Sequence, residues 1–356
     1  MQEGYDENKI IQKLTAIINK LLLVIVLLVL ALLLLPLILN LSKNTDKTKD
    51  LTTTDIKDTT SYWIAADINA ITDTMLKAKV AYGKELIVHT SKYFGPNGSV
   101  FKISNGLNCQ NCHLQAGTAV FGNNFGSVAS LYPKYKARSG TIENLYKRIN
   151  DCFERSLNGK AIDTLGKEMQ AMAAYINFVG SNVAKGKRAE GSGLKDLAWL
   201  DRAADPEKGK IVFTTKCQTC HQANGEGVFI ADKTEYTYPA LWGSSSFNDG
   251  AGLYRITSFA KYVKCNMPQG TTYQNPQLTD EEAWDVAAFV ISQTRPHMNV
   301  TNDWPDISKK PVDNPFGPYT DSFTEKQHKF GPFKSIIDAQ KQREESAKQK
   351  NLAVKK

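Results

Sequence analysis

The pattern Cys-x-x-Cys-His occurs twice in this chain of 356 residues, at residues 109–113 and 217–221. Cysteines at this spacing attach haem covalently, and the adjacent histidine becomes an axial ligand of the iron. A zinc site would need a second pair of ligands close by, and a thioredoxin-like dithiol does not explain a histidine after both pairs. The sequence therefore predicts two covalently bound haem c groups. Their attachment residues are Cys109, Cys112 and His113 in the first copy and Cys217, Cys220 and His221 in the second.

Both motifs lie within a degenerate internal repeat. Residues 83–87 and 209–213 open the two copies, and each copy closes with a helix whose apolar residues recur at i, i+3, i+4 and i+7. These positions are Met169, Met172, Ala173 and Ile176 in the first copy, and Ala283, Val286, Ala287 and Val290 in the second.

The repeat predicts a mainly α fold with two tandem cytochrome c-type helical domains. We expect the first domain, which holds the active-site haem, at residues 61–180, and the second, which holds an electron-transfer haem, at residues 206–296. A linker at residues 181–205 joins them. An irregular C-terminal strap rich in Pro, Gly and aromatic residues is expected at 297–334, and a polar tail, helical or frayed, at 335–356.

Residues 21–39 carry no charge and are nearly all Leu, Val and Ile, which is long enough to cross a bilayer core. No small-residue cleavage site follows, so we favour an uncleaved anchor over a signal peptide. The prediction is an N-terminal transmembrane helix at 21–41, after a cytoplasmic lead at 1–20 and before a polar tether at 42–60. Haem c is attached outside the bacterial cytoplasmic membrane. The expected arrangement is therefore a single-pass inner-membrane protein with its N-terminus inside and its haem domains in the periplasm.

The net charge is +8, and the chain has no cluster of Lys and Arg. A balance this modest gives no case for nucleic-acid binding, but it favours small anions. Charged residues make up 22% of the chain and apolar residues 42%, which excludes a disordered protein.

The sixth iron ligand decides what each haem does. In the second domain Met267 precedes Pro268 between the haem motif and the closing helix, where cytochrome domains commonly place an axial methionine. A core methionine is the alternative interpretation. Met298 is a weaker candidate because it follows the closing helix.

The first domain offers no such Met-Pro pair. Met169 and Met172 belong to the apolar stripe and are expected in the core, and His89 is expected at the surface or in packing. Cys152 remains as the candidate iron ligand. The alternative is a disulfide between Cys152 and Cys265 in an oxidising compartment.

Cys152 lies in a predicted helix for which Thr141 is a suitable N-cap. Arg148, Cys152 and Ser156 then share one face at i, i+4 and i+8, with Arg155 beside them. Guanidinium groups there would stabilise a thiolate and bind an oxyanion.

Residues 133–142 and 148–159 resemble the dihaem c-type thiosulfate dehydrogenases, and so do residues 108–117, 310–319 and 327–333. The resemblance covers roughly residues 62–334. It implies His/Cys ligation of the active-site haem by His113 and Cys152, and His/Met ligation of the second haem by His221 and Met267. It also implies that Arg138, Arg148 and Ser156 contact the substrate. Many members of the family carry a lysine that can exchange with the ligand methionine, whereas Asn266 stands at that position here.

The implied reaction couples two thiosulfate ions to tetrathionate and passes two electrons to a redox partner, a cytochrome c or a membrane oxidase. Some family members also reduce tetrathionate. Two rival functions remain from the sequence. One is a non-catalytic, membrane-anchored dihaem electron carrier, and the other is a dihaem peroxidase.

Overall fold

The computed structural model describes residues 12, 15–30 and 62–354, which belong to two separate units, Met1–Thr59 and Thr60–Lys356. In the first unit residues 15–30 are helical, and the apolar side chains from Ile17 to Leu30 are exposed. No helix in the described part of the chain is long and apolar enough to span a membrane. Residues 31–41 of the expected anchor, the tether at 42–60 and most of the lead at 1–20 lie outside the described residues.

The second unit is mainly helical and contains short strands. In chain order its elements are α1 (Thr74–Val88), α2 (Thr90–Phe94), α3 (Leu114–Gly117), α4 (Val128–Leu131), β1 (Lys134–Lys136), β2 (Thr141–Glu143), α5 (Leu145–Arg155), α6 (Lys167–Val179), α7 (Pro206–Lys216), α8 (Gln218–His221), β3 (Val228–Phe229), β4 (Tyr236–Tyr238), α9 (Ile256–Asn266), α10 (Asp280–Ser292), α11 (Glu325–Phe330) and α12 (Lys334–Val354). The 3-10 turns are Ile68–Ala70, Cys109–Asn111, Gly252–Tyr254 and Ile307–Lys309.

The opening and closing helices of each domain cross at a glycine. A Cβ atom added to Gly83 of α1 would lie 2.0 Å from the Ala171 carbonyl oxygen of α6. In the second domain, a Cβ on Gly209 of α7 would lie 1.9 Å from the Asp285 carbonyl oxygen of α10. Only glycine therefore lets the two helix backbones approach this closely.

The closing helices bury the two stripes that the repeat predicts. Met169, Met172, Ala173 and Ile176 are at most 4% exposed, and Ala283, Val286, Ala287 and Val290 at most 3%. The predicted helical stripes are confirmed, and so is the placement of Met169 and Met172 in the core.

A hairpin precedes α5 and overturns the expected start of that helix. Strands β1 and β2 are antiparallel, with Lys136 opposite Thr141, so Thr141 is a strand residue and not an N-cap. The helix begins at Leu145, where the Asn144 side chain accepts a hydrogen bond from the Lys147 amide. The turn between the strands uses Gly140 at φ +67°, packed against Pro305 of the strap. The hairpin thus occupies the residues that sequence periodicity had assigned to a helix cap.

The C-terminal segment after residue 296 is irregular apart from the turn Ile307–Lys309 and α11. His328 of α11 is 2% exposed, and its ring lies between the Val312 carbonyl and the Asp321 carboxylate. Helix α12 follows, and Phe333 and Ile336 at its start are buried in the core of the second domain. The segment is therefore anchored by its own buried side chains.

Candidate active site

The motif histidines are held in the same way in both domains. The Nδ1–H of His113 donates to the Asn123 carbonyl oxygen at 2.5 Å, and that of His221 donates to the Pro239 carbonyl oxygen at 2.8 Å. A backbone acceptor at Nδ1 fixes the ring and leaves Nε2 for a metal, as an iron-ligating histidine requires. Burial lowers the pKa of His221, which keeps that ring neutral.

The residues of the first domain fit a haem. A cavity of about 200 Å³ lies beside the first Cys-x-x-Cys-His motif. Cys109, Cys112 and His113 line one part of it, and Arg148, Cys152 and Ser156 of the α5 segment line another. The apolar walls include Met172 and Ile176 of α6. Thiols for attachment, a histidine and an apolar lining are the groups that a haem c site needs.

Cys152 and His113 line this cavity together, and the His113 ring is close enough to lower the pKa of the Cys152 thiol. Arg148 Nη1 lies 3.0 Å from Cys152 Sγ. Burial by itself would raise the pKa of this thiol, but the Arg148 guanidinium and His113 outweigh that effect and lower the pKa from 9.0 to about 7. The lowered pKa favours the thiolate, which is the form of cysteine that acts as a nucleophile or a metal ligand, so Cys152 is a candidate for either role.

The disulfide alternative does not hold. Cys152 and Cys265 are both free thiols, and Cys265 is 4% exposed on α9 in the second domain. The pairing was suggested only because neither cysteine belongs to a haem motif. In the structure Cys152 instead contacts the Arg148 guanidinium.

The candidate substrate residues fall into two adjoining places. Ser156 is the C-cap of α5 and lines the haem cavity together with Arg148. Arg138 lies in the hairpin turn, and its Nη2 is 2.6 Å from Asp151 Oδ2. Asp151 is 2% exposed and also binds Lys147. The structure thus brings Arg148, Cys152 and Ser156 into one cavity and places Arg138 beside it.

A second cavity of about 740 Å³ contains Arg138, and we call it the vestibule. It is lined by residues 136–138 and Arg148 of the first domain, residues 249–252 and Arg255 of the second, and parts of the segment 300–318. Because Arg148 lines both cavities, the vestibule adjoins the haem cavity at this guanidinium.

Sequence reasoning missed the residues that join the C-terminal strap to the site. Arg155 donates to both carboxylate oxygens of Asp303, at 2.8 and 2.7 Å, and to the Gly250 carbonyl oxygen at 3.1 Å. The Trp304 amide donates to the Arg138 carbonyl oxygen at 2.6 Å. These contacts link positions more than 90 residues apart, so no local pattern could reveal them. Asp151 was within reach, because it lies four residues after Lys147 on the same helix.

In the second domain Met267 directly follows α9 and packs, like Cys217, at the edge of the apolar core. Tyr262 of the same helix donates its hydroxyl to the Asn111 carbonyl oxygen at 2.6 Å, inside the first haem motif. Asn266 donates to the Phe121 carbonyl oxygen at 3.2 Å. The segment that presents Met267 is therefore bonded directly to the first domain.

Met298 and His89 lie in surroundings that differ from those of Met267. The Met298 sulfur packs against Gly250, next to Arg155 and beside the vestibule. His89 lies at the end of α1, and its Nδ1 is 2.8 Å from the Glu235 carboxylate of the β3–β4 hairpin. His89 is thus a packing residue between the domains, as predicted.

Comparisons with known proteins identify related cytochrome c domains. Residues 100–184 match the family model for the SoxA/TsdA cytochrome c domain, and residues 206–294 match that for cytochrome c. The thiosulfate dehydrogenase of Psychrobacter arcticus is 39% identical over 243 residues, which is 67% of this chain and 71% of the relative. That of Allochromatium vinosum is 39% identical over 198 residues, covering 54% of this chain and 72% of the relative.

The fold is also similar to a solved structure, the thiosulfate dehydrogenase TsdBA of Marichromatium purpuratum in its as-isolated form. The TM-score is 0.61 and the identity 28%, over 66% of this chain. This chain spans half the length of that one. From the two haem sites and these relatives, the chain belongs to the dihaem thiosulfate dehydrogenase family of oxidoreductases, and it carries two covalently bound haem c groups.

Proposed function

We propose that this protein oxidises thiosulfate to tetrathionate at Cys152 and passes the electrons on through its second domain. The observation that carries the proposal is the position of Cys152, which shares the cavity with His113 and lies 3.0 Å from the Arg148 guanidinium. A buried thiolate beside a guanidinium is suited to both iron ligation and nucleophilic chemistry. An electron carrier would need neither group.

The two haems would supply two one-electron acceptors, and ligation of the first by Cys152 and of the second by Met267 would favour electron flow towards the second. The Cys152 thiolate forms a bond to the sulfane sulfur of one thiosulfate as two electrons leave, which gives a Cys–S–S–sulfonate adduct. A second thiosulfate attacks the sulfane sulfur of that adduct. Tetrathionate then departs, and the Cys152 thiolate is regenerated. One sulfur–sulfur bond forms between two substrate ions, and two electrons are released per turnover.

Both substrates are dianions, so the site must offset their charge. Arg148 neutralises the thiolate and offers its remaining N–H groups to a sulfonate. Ser156 lies on the same cavity wall and can donate its hydroxyl. Arg138 is fixed by Asp151 and lies on the vestibule side, where it meets an incoming anion. These positions support the substrate roles of Arg138, Arg148 and Ser156.

For the electron-transfer haem, we propose that Cys217 and Cys220 would attach the group and that His221 and Met267 would ligate its iron. The redox partner is a cytochrome c or a membrane oxidase, and the haem domains lie in the periplasm. The exposed apolar helix at residues 15–30 supports an N-terminal membrane anchor. A shortened chain that begins at Thr52, exported by another signal, should then be soluble and keep its turnover with an artificial acceptor. Loss of haem incorporation would show that the anchor belongs to the folded core.

The deciding experiment is anaerobic addition of thiosulfate to the oxidised holoprotein. We expect both haems to be reduced and tetrathionate to appear at one molecule per two electrons. A protein whose haems stay oxidised with thiosulfate, but are reduced by a cytochrome partner, would be an electron carrier instead.

A further inference from the structure

The vestibule carries more positive charge than its acidic groups can balance. Both carboxylates in its lining already have cationic or amide partners. Asp303 is held by Arg155 at 2.7 Å, and Asp249 by the His297 ring at 2.7 Å and the Met298 amide at 2.8 Å. Neither is free to neutralise another lysine or arginine of the lining.

Two vestibule lysines have no carboxylate within 4 Å in the described part of the chain. Lys310 Nζ donates only to backbone carbonyl oxygens, those of Phe316 at 3.1 Å and Pro318 at 3.0 Å. Lys136 Nζ lies 5.6 Å from the centre of the Tyr132 ring. Burial lowers the pKa of both amines, that of Lys136 to about 8 with help from the neighbouring Lys134. Glu143 attracts Lys136 and Asp303 attracts Lys310, but neither carboxylate forms a direct ion pair with its lysine, and burial outweighs both attractions. Two partly desolvated ammonium groups without a direct partner are unfavourable unless an anion completes the site.

The vestibule is also the neighbour of the reacting sulfur. Arg148 lines it on one side and contacts Cys152 on the other. The reaction needs two dianions, and the first occupies the haem cavity as the Cys152 adduct. A second anion beside Arg148 would be in position to attack that adduct.

We propose that the vestibule is a second anion site, in which Lys136 and Lys310 hold the second thiosulfate before it attacks. This inference rests on the proposed function, because it assigns a place to the second substrate of that reaction. The site would recognise a compact oxyanion of charge −2. A carboxylate of the bound haem is another anion that Lys136 could meet, so the experiment separates the two sources.

The test is to titrate the fully reduced holoprotein with thiosulfate at low ionic strength and to measure the binding by calorimetry. Reduced protein cannot turn over, so binding is seen without chemistry. We expect two thiosulfate ions per wild-type chain. Lys136→Gln and Lys310→Gln should each weaken one of them about three- to tenfold, the usual effect of losing one partly screened charge contact. Lys309→Gln is the matched control, since Lys309 is exposed and lies outside the vestibule lining.

The same variants are then compared in turnover. The thiosulfate concentration at half-maximal rate should rise by the same three- to tenfold factor, with the reduction potential of the first haem unchanged. Lys310 also holds the strap backbone, so the melting temperature is recorded, and Lys136→Gln carries the test if Lys310→Gln is unstable.

A single bound thiosulfate in the wild type would overturn the proposal. So would a shifted haem potential in Lys136→Gln, because it would assign that lysine to a haem carboxylate. Two bound ions without haem reduction in the oxidised protein would support the second site and reject the proposed oxidation instead.

Discussion

In both haem domains the opening helix crosses the closing helix at a glycine, and the motif histidine donates to a backbone carbonyl. Beyond these shared features the domains diverge. The first domain presents α5, which carries Arg148, Cys152 and a chain of ion pairs to Asp151. In the second, α9 buries a mostly apolar face and is followed directly by Met267. The shared helix crossing is thus combined with two different walls, one that carries charged groups beside a cysteine and one that is mostly apolar and leads to a methionine.

The largest expected effect removes the group that most distinguishes the two walls. Cys152→Ala should lower thiosulfate oxidation about a thousandfold or more, as loss of a reacting nucleophile usually does. Both haems should stay attached, and the second haem should keep its spectrum. Cys265→Ala is the control, and it should remain active because Cys265 is a free thiol away from the haem cavity. Near wild-type activity of Cys152→Ala would leave the electron-carrier function as the better explanation.

The reciprocal change is made in the second domain. Met267→Ala should keep both covalent haems, since attachment depends only on the motif residues. The second haem should lose its strong-field axial ligand and change its absorption spectrum. Steady-state turnover should fall, while stopped-flow reduction of the first haem by thiosulfate persists. Met298→Ala is the comparison, because the Met298 sulfur packs beside the vestibule. An unaltered spectrum in Met267→Ala would mean that Met267 is not the ligand.

The arginines of the candidate substrate site can be replaced without removing the Cys152 sulfur. Arg138→Ala and Arg148→Ala should each lose a charge-assisted contact of about 1.5–3 kcal/mol, or roughly ten- to a hundredfold in kcat/KM. Arg148→Ala should have a second effect, since this guanidinium lowers the pKa of Cys152. Steady-state kinetics over a range of pH separates the two variants. Equal pH profiles would contradict the direct pairing of Arg148 with the thiol.

The helix crossing that both domains share is tested at its two glycines. Gly83→Ala and Gly209→Ala each place a methyl group within 2.0 Å of a backbone oxygen, so each should destabilise its domain by about 1–3 kcal/mol, as overpacking does. Thermal unfolding monitored at the two haems should show similar losses for both. A large effect at only one glycine would mean that the helix crossings are not equivalent.

The smallest effect comes from the charge state of Lys136. Its pKa is lowered to about 8, so the amine is charged below that pH and neutral above it. Affinity for thiosulfate should therefore fall about threefold as the pH rises from about 7 to about 9. Lys136→Gln should flatten this dependence, and Lys309→Gln should retain it. A profile unchanged by Lys136→Gln would remove this lysine from the anion site.

The sequence was informative where structure depends on local patterns. The stripes of α6 and α10 have a helical period, and the haem motifs have a fixed spacing, so both could be read directly. The N-cap of α5 could not be predicted in this way. The hairpin that contains Thr141 packs its Gly140 against Pro305, which lies far along the chain. The vestibule was hidden for the same reason, since three distant segments form its walls.

The pairing of Arg155 with Asp303 spans 148 residues and encloses the entire second domain. Contacts of such separation have a high entropic cost of closure and tend to form late in folding. During synthesis both haem motifs emerge well before Trp304, whose amide donates to the Arg138 carbonyl oxygen. A chain interrupted before the strap can therefore hold its haem-attachment residues and still lack a finished substrate pocket. The strap therefore completes the vestibule side of the site, whereas Arg148, Cys152 and Ser156 come together within the α5 segment itself.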